Sequence, residues 1–349
     1  MIKVLTVILN YNGVAYLPDC LHSLKNQKLS PEVQNEILII DNNSADQSLF
    51  FLNQTFPEFK LIKNQKNLGF AKATNQGMVE ATKGGYDYLF LLNQDTICEN
   101  TTINNLVAAL EQNKNVAAGQ PIILCWPEQD LIQTGGNFLH FLGFGISGNY
   151  HKNINDFKIN KIKEIAYPSG AAMFLRVKAI EDIGLMDEKL FMYHEDIDWS
   201  WRARLLGYSL VVVPNTYIYH KYTFNKSRKK FYLMERNRLV VLLEFYRWRT
   251  LCLLFLPLLI MELGIIFYAT MNGWIFDKIK SYFIVVLMLP KILKTRTAIQ
   301  KSRKIGDRDV LKYMTGKIDF EGLKNPPGLR LANYFFAVFF WLTKKLVGW

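Results

Sequence analysis

Four short apolar runs in the first hundred residues each stop at a polar turn or charged residue, and helix-like or polar stretches separate them. Val4 to Leu9 is β-branched and apolar and runs into the turn Asn10-Tyr11-Asn12-Gly13. Glu36 to Asp41 closes on a carboxylate, ahead of Asn42-Asn43-Ser44-Ala45-Asp46. Phe59 to Lys63 is the third run, and Tyr86 to Leu92 the fourth, ending in Asn93-Gln94-Asp95-Thr96. Val14 to Gln27 and Phe70 to Ala81 read as helices. Strands that alternate with helices predict a parallel, doubly wound sheet in an α/β fold. Such a sheet holds its ligand beyond the carboxyl ends of the strands, where Asn10, Asp41 and Asp95 all stand. One polar residue there reads equally as the cap of the next helix. Three at successive strand ends favour a ligand.

The pattern is looser from residue 98 to 165. Asn100 to Asn113 reads as a helix and Ile122 to Gln133 as a strand and turn. Gly135, Gly136, Gly143, Gly145 and Gly148 mark a stretch that fits a ligand-holding lid or an ordinary loop. Pro168 to Arg176 is a turn entering a strand, and its small residues Gly170, Ala171 and Ala172 let a ligand approach backbone. Lys178 to Ile183 and Trp199 to Leu206 read as helices, Leu210 to Val213 as a strand, and Tyr217 to His220 as a last apolar pattern ending on a histidine. Between them, Glu195, Asp196, Asp198 and Arg202 crowd together among aromatics. Buried carboxylates are costly unless paired or ligated, so this crowding points to a site. The plain alternatives are a helix N-terminus that favours negative charge and an ion pair four residues apart.

Charge divides the chain. Residues 1–225 carry 19 Lys+Arg against 22 Asp+Glu, and residues 226–349 carry 23 against 8. The basic part expects an anionic partner. It also holds long apolar runs that nucleic-acid domains rarely need, so a membrane surface is expected and nucleic acid is not. The four cysteines stand far apart without metal or disulfide spacing, which suggests a reducing compartment. The chain opens directly on a strand pattern, with no signal-peptide pattern.

In this order and spacing, several motifs resemble glycosyltransferase family 2, most closely its rhamnosyltransferase-type branch with the GT-A fold. They are Val7 to Asn12, Ile40 to Asp46, Asn67-Leu68-Gly69-Phe70-Ala71 with Asn75 and Gly77, Leu91 to Thr96, Gly170-Ala171, and Glu195-Asp196-Ile197-Asp198 with Arg202 and His220. The resemblance spans roughly residues 3–240 and implies inverting transfer from a nucleotide-diphosphate sugar. It implies donor binding by Asn10, Tyr11, Asn12, Asp41, Asn43, Asn67, Gly69, Phe70, Asn75, Asn93, Gly170 and Ala171. Asp41 is placed to accept the imide N–H of uracil or thymine. Asp95 and His220 match positions that hold Mg²⁺ or Mn²⁺ against the diphosphate, and the imidazole tips the choice toward Mn²⁺. Asp196 is the implied general base, with Glu195, Asp198 and Arg202 around it. Many relatives carry an aspartate where this chain has Asn93, a weaker oxygen ligand.

Two domains are expected: a GT-A glycosyltransferase domain over 1–225 and a basic, apolar helical region over 226–349, with the boundary in the polar stretch Thr223 to Lys230. Thr250 to Thr270 is 21 residues with Glu262 as its one charge and Pro257 as a break. That length can cross a bilayer, while the charge and the proline fit an interfacial or re-entrant helix. Tyr282 to Leu289 is too short to cross, and Lys291 to Lys304 is basic. Tyr334 to Leu342 is aromatic and precedes Lys344, Lys345 and Trp349, an interface-anchor pattern. The expected protein is a transferase on the cytoplasmic face of the cell membrane. It would move a sugar from a UDP- or dTDP-sugar to a hydroxyl of a lipid-linked or cell-surface glycan. The alternatives are a polyprenyl-phosphate sugar synthase, a non-catalytic nucleotide- or glycan-binding module, and, for the C-terminal region, a helical oligomerisation domain.

Overall fold

The computed structural model describes residues 1–157, 160–222, 227–318 and 328–349. The chain forms two compact units, Met1–Asn137 with Ser147–Ala203 and Tyr208–Thr223, and Phe138–Ile146 with Arg204–Gly207 and Phe224–Trp349. The expected boundary at 225/226 lies outside the described residues.

The first unit begins with β1 (Ile2–Asn10), α1 (Leu17–Lys25), β2 (Val33–Asp41), α2 (Ser48–Thr55), β3 (Lys60–Lys63), α3 (Phe70–Lys83) and β4 (Tyr88–Asn93). β1 and β4, and the end of β2, are buried on both faces, which is why they read as unbroken apolar runs, while β3 is half-exposed at the sheet's edge. The helix α2 was not expected: its apolar residues lack a clear helical period. β1 pairs in parallel with β2 and with β4, and β2 with β3. Chain order reverses direction between β1 and β4, which makes their carboxyl ends the crevice of a doubly wound sheet. Gly77 permits close packing of α3, since a Cβ there would lie 2.7 Å from Val7 Cγ1.

Next come β5 (Thr96–Cys98), α4 (Thr102–Glu111), β6 (Val116–Cys125) and β7 (Ile132–Thr134). The strands β8 (Phe138–His140) and β9 (Gly145–Ile146) belong to the second unit. β10 (Lys163–Glu164), β11 (Ala172–Arg176), α5 (Val177–Ile183), α6 (Glu195–Leu205) and β12 (Ser209–His220) follow. The sheet order is β10-β12-β6-β11-β4-β1-β2-β3. β6 and β12 are parallel, whereas β11 runs antiparallel to both β4 and β6. Two boundaries differ from expectation. α6 starts at Glu195 instead of Trp199, so the acidic cluster is its first turn. Leu210 to His220 is one strand with an irregular register between Val212 and Tyr217.

The second unit is helical: α7 (Arg228–Phe245), α8 (Trp248–Leu253), α9 (Phe255–Met271), α10 (Ile275–Ser302), α11 (Asp307–Val310) and α12 (Leu329–Leu346). β8 pairs with β9 and with β13 (Met314–Thr315). The apolar run 250–270 is divided between α8 and α9, and the segments 282–289 and 291–304 fall largely on one helix, α10, with Pro290 inside it. Among the described residues, no helix is long and apolar enough to cross a membrane. Glu262 does not face outward alone. It pairs with Arg238 and, at 2.7 Å, with Lys278, and it accepts the hydroxyl of Tyr282. Arg238 and Lys278 also share Glu235. Both cationic side chains are fully buried, so each charge depends on its partners. Lys278→Met should therefore cost about 3 kcal/mol and lower the urea midpoint, with amide protection lost across α7, α9 and α10. Adding Glu262→Leu should restore much of that loss.

Candidate active site

The carboxyl edge of the first unit's sheet gathers most of the residues marked in the sequence. Asn10 and Asp41 are directly opposite in register, at the ends of β1 and β2. Asn10 Nδ2 donates to Asp41 Oδ1 at 2.7 Å and to Ser44 Oγ at 3.0 Å, and Ser44 N donates to Asp41 Oδ2 at 3.1 Å. A carboxylate only accepts, so the amide orientation is fixed. That leaves Asn10 Oδ1 buried with no hydrogen-bond partner among the described residues. Asp41 is 1% exposed. Gly13 stands beside the pair because a Cβ there would lie 2.5 Å from Asn10 Oδ1. Tyr11 is exposed, and its backbone exchanges two hydrogen bonds with the Gln94 amide, across the β1–β4 crevice.

Several expected donor-binding residues are engaged within the fold. Asn12, at φ 51°, takes Ala45 N on its Oδ1 and donates its own N–H to Ser44 Oγ. Asn43 holds a left-handed turn at φ 68°. Asn67 Oδ1 accepts Gly69 N and Asn42 Nδ2. Asn75 is buried, and its amide exchanges two hydrogen bonds with the backbone of Met186. Gly69, at φ +82°, precedes Phe70 at the start of α3. A Cβ there would lie 2.5 Å from the Phe191 ring.

Asp95 lies just past β4. Its Oδ1 is 3.1 Å from His220 Nε2, and His220 Nδ1 is 2.8 Å from Gln133 Oε1. With Nδ1–H donated to Gln133, Nε2 is turned toward the carboxylate. Burial pushes the Asp95 carboxyl up, but the hydrogen bond and charge of His220 outweigh it and hold the group below its ordinary range. Gln133 was not foreseen. It stands on β7, in no motif, and only the fold brings it to His220.

Asn93 N donates to Ala171 O at 2.9 Å, which ties β4 to the turn before β11. Gly170 N donates to Asp196 Oδ2 at 3.1 Å, and Ile197 N to Asp196 Oδ1 at 2.8 Å. A Cβ on Gly170 would sit at ordinary contact distance, so nothing in the fold itself demands glycine there. Ahead of α6, Phe191, Tyr193 and His194 all have positive φ, at 63°, 68° and 68°. Backbone of this kind costs about 1–3 kcal/mol per residue and clusters at functional sites.

The three acidic residues of α6 differ in surroundings. Asp198 is 1% exposed and sealed by Arg202, whose Nη2 lies 2.6 Å away. The same guanidinium donates to the carbonyls of Ile183 and Leu185, so this pair fastens α6 to the end of α5. Glu195 is buried, and its Oε2 has no hydrogen-bond partner among the described residues. Burial, then the charge of Asp196, pushes the Glu195 carboxyl up. Burial also pushes Asp196 up, against the N–H groups of Gly170 and Ile197. Trp199 is core: its Nε1 donates to Gly184 O at 2.9 Å.

A doubly wound, mostly parallel sheet with an acceptor pair, an Asp–His pair and a buried carboxylate helix at its carboxyl edge is a GT-A-like arrangement. The chain belongs to glycosyl transferase family 2, whose family model matches residues 6–184, just over half of it. It is 25% identical over 251 residues to N-acetylglucosaminyl-diphospho-decaprenol L-rhamnosyltransferase of Mycobacterium tuberculosis, over 65% of this chain and 79% of that one. Its fold is similar to GalNAc-T7 solved with UDP, GalNAc and Mn²⁺, with a TM-score of 0.58 and 17% identity over 71% of this chain and 49% of that one. It is also similar to TarS of S. aureus in complex with UDP, with a TM-score of 0.53 and 15% identity over 99% and 90%.

A carboxyl whose pKa is raised on folding stabilises the fold below its unfolded pKa, and that stability is lost as pH rises through the folded value. Wild type should therefore lose stability from the ordinary carboxylate range up to the raised pKa of Glu195, and Glu195→Gln should not. Urea denaturation from pH 5 to 9 should show the variant gaining about 1 kcal/mol or more on wild type toward alkaline pH.

Proposed function

We propose that this protein transfers a sugar, with inversion at the anomeric carbon, from a UDP- or dTDP-sugar to a hydroxyl of a lipid-linked or cell-surface glycan. The observation that carries this reading is the line of contacts along the sheet edge: Asn10–Asp41, Tyr11–Gln94, Asp95–His220, Asn93–Ala171 and Gly170–Asp196. It sets acceptors for a base, an oxygen–nitrogen pair for a cation, and a carboxylate on one edge. Asp41 and the orphaned Asn10 Oδ1 suit the imide N–H that uracil and thymine share. UDP in the GalNAc-T7 and TarS structures, both of similar fold, supports such a donor.

Asp95 and His220 fit a divalent cation. Their facing atoms are 3.1 Å apart, close to the edge between adjacent ligands at about 2.1 Å from one ion. Gln133 orients the ring as an outer partner does in metal sites. Bound Mg²⁺ or Mn²⁺ would neutralise charge on the leaving diphosphate, and Mn²⁺ in GalNAc-T7 supports that assignment.

Asp196 takes the proton of the acceptor hydroxyl as its oxygen attacks the anomeric carbon. The bond from that carbon to the diphosphate oxygen breaks, and its electron pair leaves with the nucleoside diphosphate. A carboxylate made more basic by burial suits this role. Gly170 and Ile197 hold its orientation, and the Asp198–Arg202 clamp fixes the helix that carries it.

The second unit supports work at the cytoplasmic face of the cell membrane. Phe255, Leu259, Leu263, Phe267 and Met271 form an exposed stripe on α9, spaced by four. Phe276, Ile279, Phe283 and Val286 extend along α10, and Leu331, Tyr334, Val338 and Trp341 along α12. Apolar stripes in a strongly basic region suit an anionic lipid surface.

Asp196→Asn should lower kcat by about 100-fold or more with donor affinity unchanged. It should also remove an acid limb of kcat/KM that lies above the ordinary aspartate range, along which activity falls as pH drops. A polyprenyl-phosphate acceptor has no proton to lose, so high residual activity in this variant would favour a lipid-phosphate acceptor. No turnover with any UDP- or dTDP-sugar and Mn²⁺ would favour a binding module. Gln133→Ala should weaken Mn²⁺ about 10–100-fold, read by calorimetry. Phosphatidylglycerol vesicles should sediment the protein, less at high salt, and Leu263→Asp with Phe267→Asp should abolish this. Concentration-dependent dimerisation without vesicle binding would assign the stripes to a homo-oligomer.

A further inference from the structure

A cavity of about 560 Å³ lies in the first unit, and its lining includes none of these site residues. Its lining includes Tyr217 and Tyr219 of β12. Side chains alternate along a strand, so these tyrosines project from the face opposite His220 and its Asp95 partner. The volume is in the range of ligand pockets, about 300–1,000 Å³.

The wall is pinned on both sides. Glu99 follows β5. Its N–H donates to Tyr217 O at 3.3 Å, its carbonyl accepts Gln27 Nε2 at 2.7 Å, and its Oε1 accepts the Tyr219 hydroxyl at 3.3 Å. Asn155 and Phe157 come from the loop between β9 and β10. That loop is fastened to the start of β7 and the residues ahead of it by Ile132 N to Lys152 O at 2.9 Å, Ile154 N to Asp130 O at 2.8 Å and Asn153 Nδ2 to Asp130 Oδ2 at 2.7 Å. Asn215, at φ 51° in the irregular part of β12, also lines the cavity.

We propose that this cavity is a non-catalytic subsite for a neutral saccharide, built from the Tyr217, Tyr219 and Phe157 rings, the Asn155 and Asn215 amides and the Glu99 carboxylate. Aromatic rings offer an apolar face with a polar tip, which suits the C–H face of a pyranose. Amides and a carboxylate supply the mixed donors and acceptors that vicinal hydroxyls match. The carboxylate disfavours a phosphate. Burial pushes Glu99 up, against the Tyr219 hydrogen bond, and sugar hydroxyls would add donors to it. The subsite would grip an acceptor glycan some distance from the sugar being extended. That purpose rests on the transferase reading, and the binding itself does not.

The test is calorimetric titration of the full chain with chitotriose, cellotriose, maltotriose and glucose 6-phosphate. At least one neutral trisaccharide should bind, at least tenfold more weakly to Tyr219→Ala and to Asn155→Ala, and unchanged in Asp95→Ala. Asn155 is exposed, so its variant reports on binding without threatening the fold. No binding of any neutral trisaccharide, binding indifferent to both cavity variants, or binding of glucose 6-phosphate alone would overturn the proposal. Retained trisaccharide binding in a chain that shows no transfer would leave this subsite standing and count against the transferase reading instead.

Discussion

The hydrogen bond from Asn93 N to Ala171 O holds the site together, and it exists because β11 runs against its neighbours. In a wholly parallel sheet the beginning of a strand lies at the far edge from the carboxyl ends. Reversing β11 brings its beginning, Gly170-Ala171, to the edge where β1, β2 and β4 finish. Gly170 N then reaches Asp196, and the first turn of α6 is set there. The next strand, β6, is parallel to β12, so β12 delivers His220 to the same edge as Asp95. One reversal and one return to parallel pairing thus place residues far apart in sequence along a single line.

The two units treat buried charge in opposite ways. In the second, Arg238, Lys278, Glu235 and Glu262 neutralise one another, and the charges of Arg238 and Lys278, then their hydrogen bonds, outweigh burial and hold Glu235 well below the ordinary carboxylate range. In the first, Glu195 and Asp196 are adjacent, buried at least in part, and neither has a cation partner among the described residues. A network of the first kind fixes structure. Carboxylates of the second kind are unfavourable as anions, and their pKa values rise accordingly. Natural folds tolerate that cost where reactivity needs it.

The strand–helix alternation was legible because a sheet covered on both faces needs apolar strands that stop abruptly at its edge. The residues at those stops, Asn10, Asp41, Asp95 and His220, could be named for the same reason. The antiparallel run of β11 was not legible, since a short apolar strand reads alike in either direction. Nor was Gln133, whose only mark is its position beside His220 in space. Asn12, Asn67 and Asn75 show a different limit. An asparagine that holds a loop and one that holds a ligand have the same side chain, and only the partners tell them apart. In the basic part, Pro257 suggested a break. The chain instead breaks at Leu254, and α10 runs through Pro290.

The acidic cluster of α6 illustrates how environment divides identical chemistry. All three carboxylates lie in the first helical turn, where the dipole favours negative charge. Arg202 closes off Asp198 and turns it into a fastener for the helix. Burial without a partner makes Glu195 the readiest to hold a proton, so it adds the least negative charge beside Asp196. Asp196 is left with backbone N–H groups on both oxygens, each with a further lone pair, and with partial exposure. It is oriented by backbone, made more basic by burial, and open to a partner. The neighbours, more than the residue type, are what suit it to the base role proposed for it.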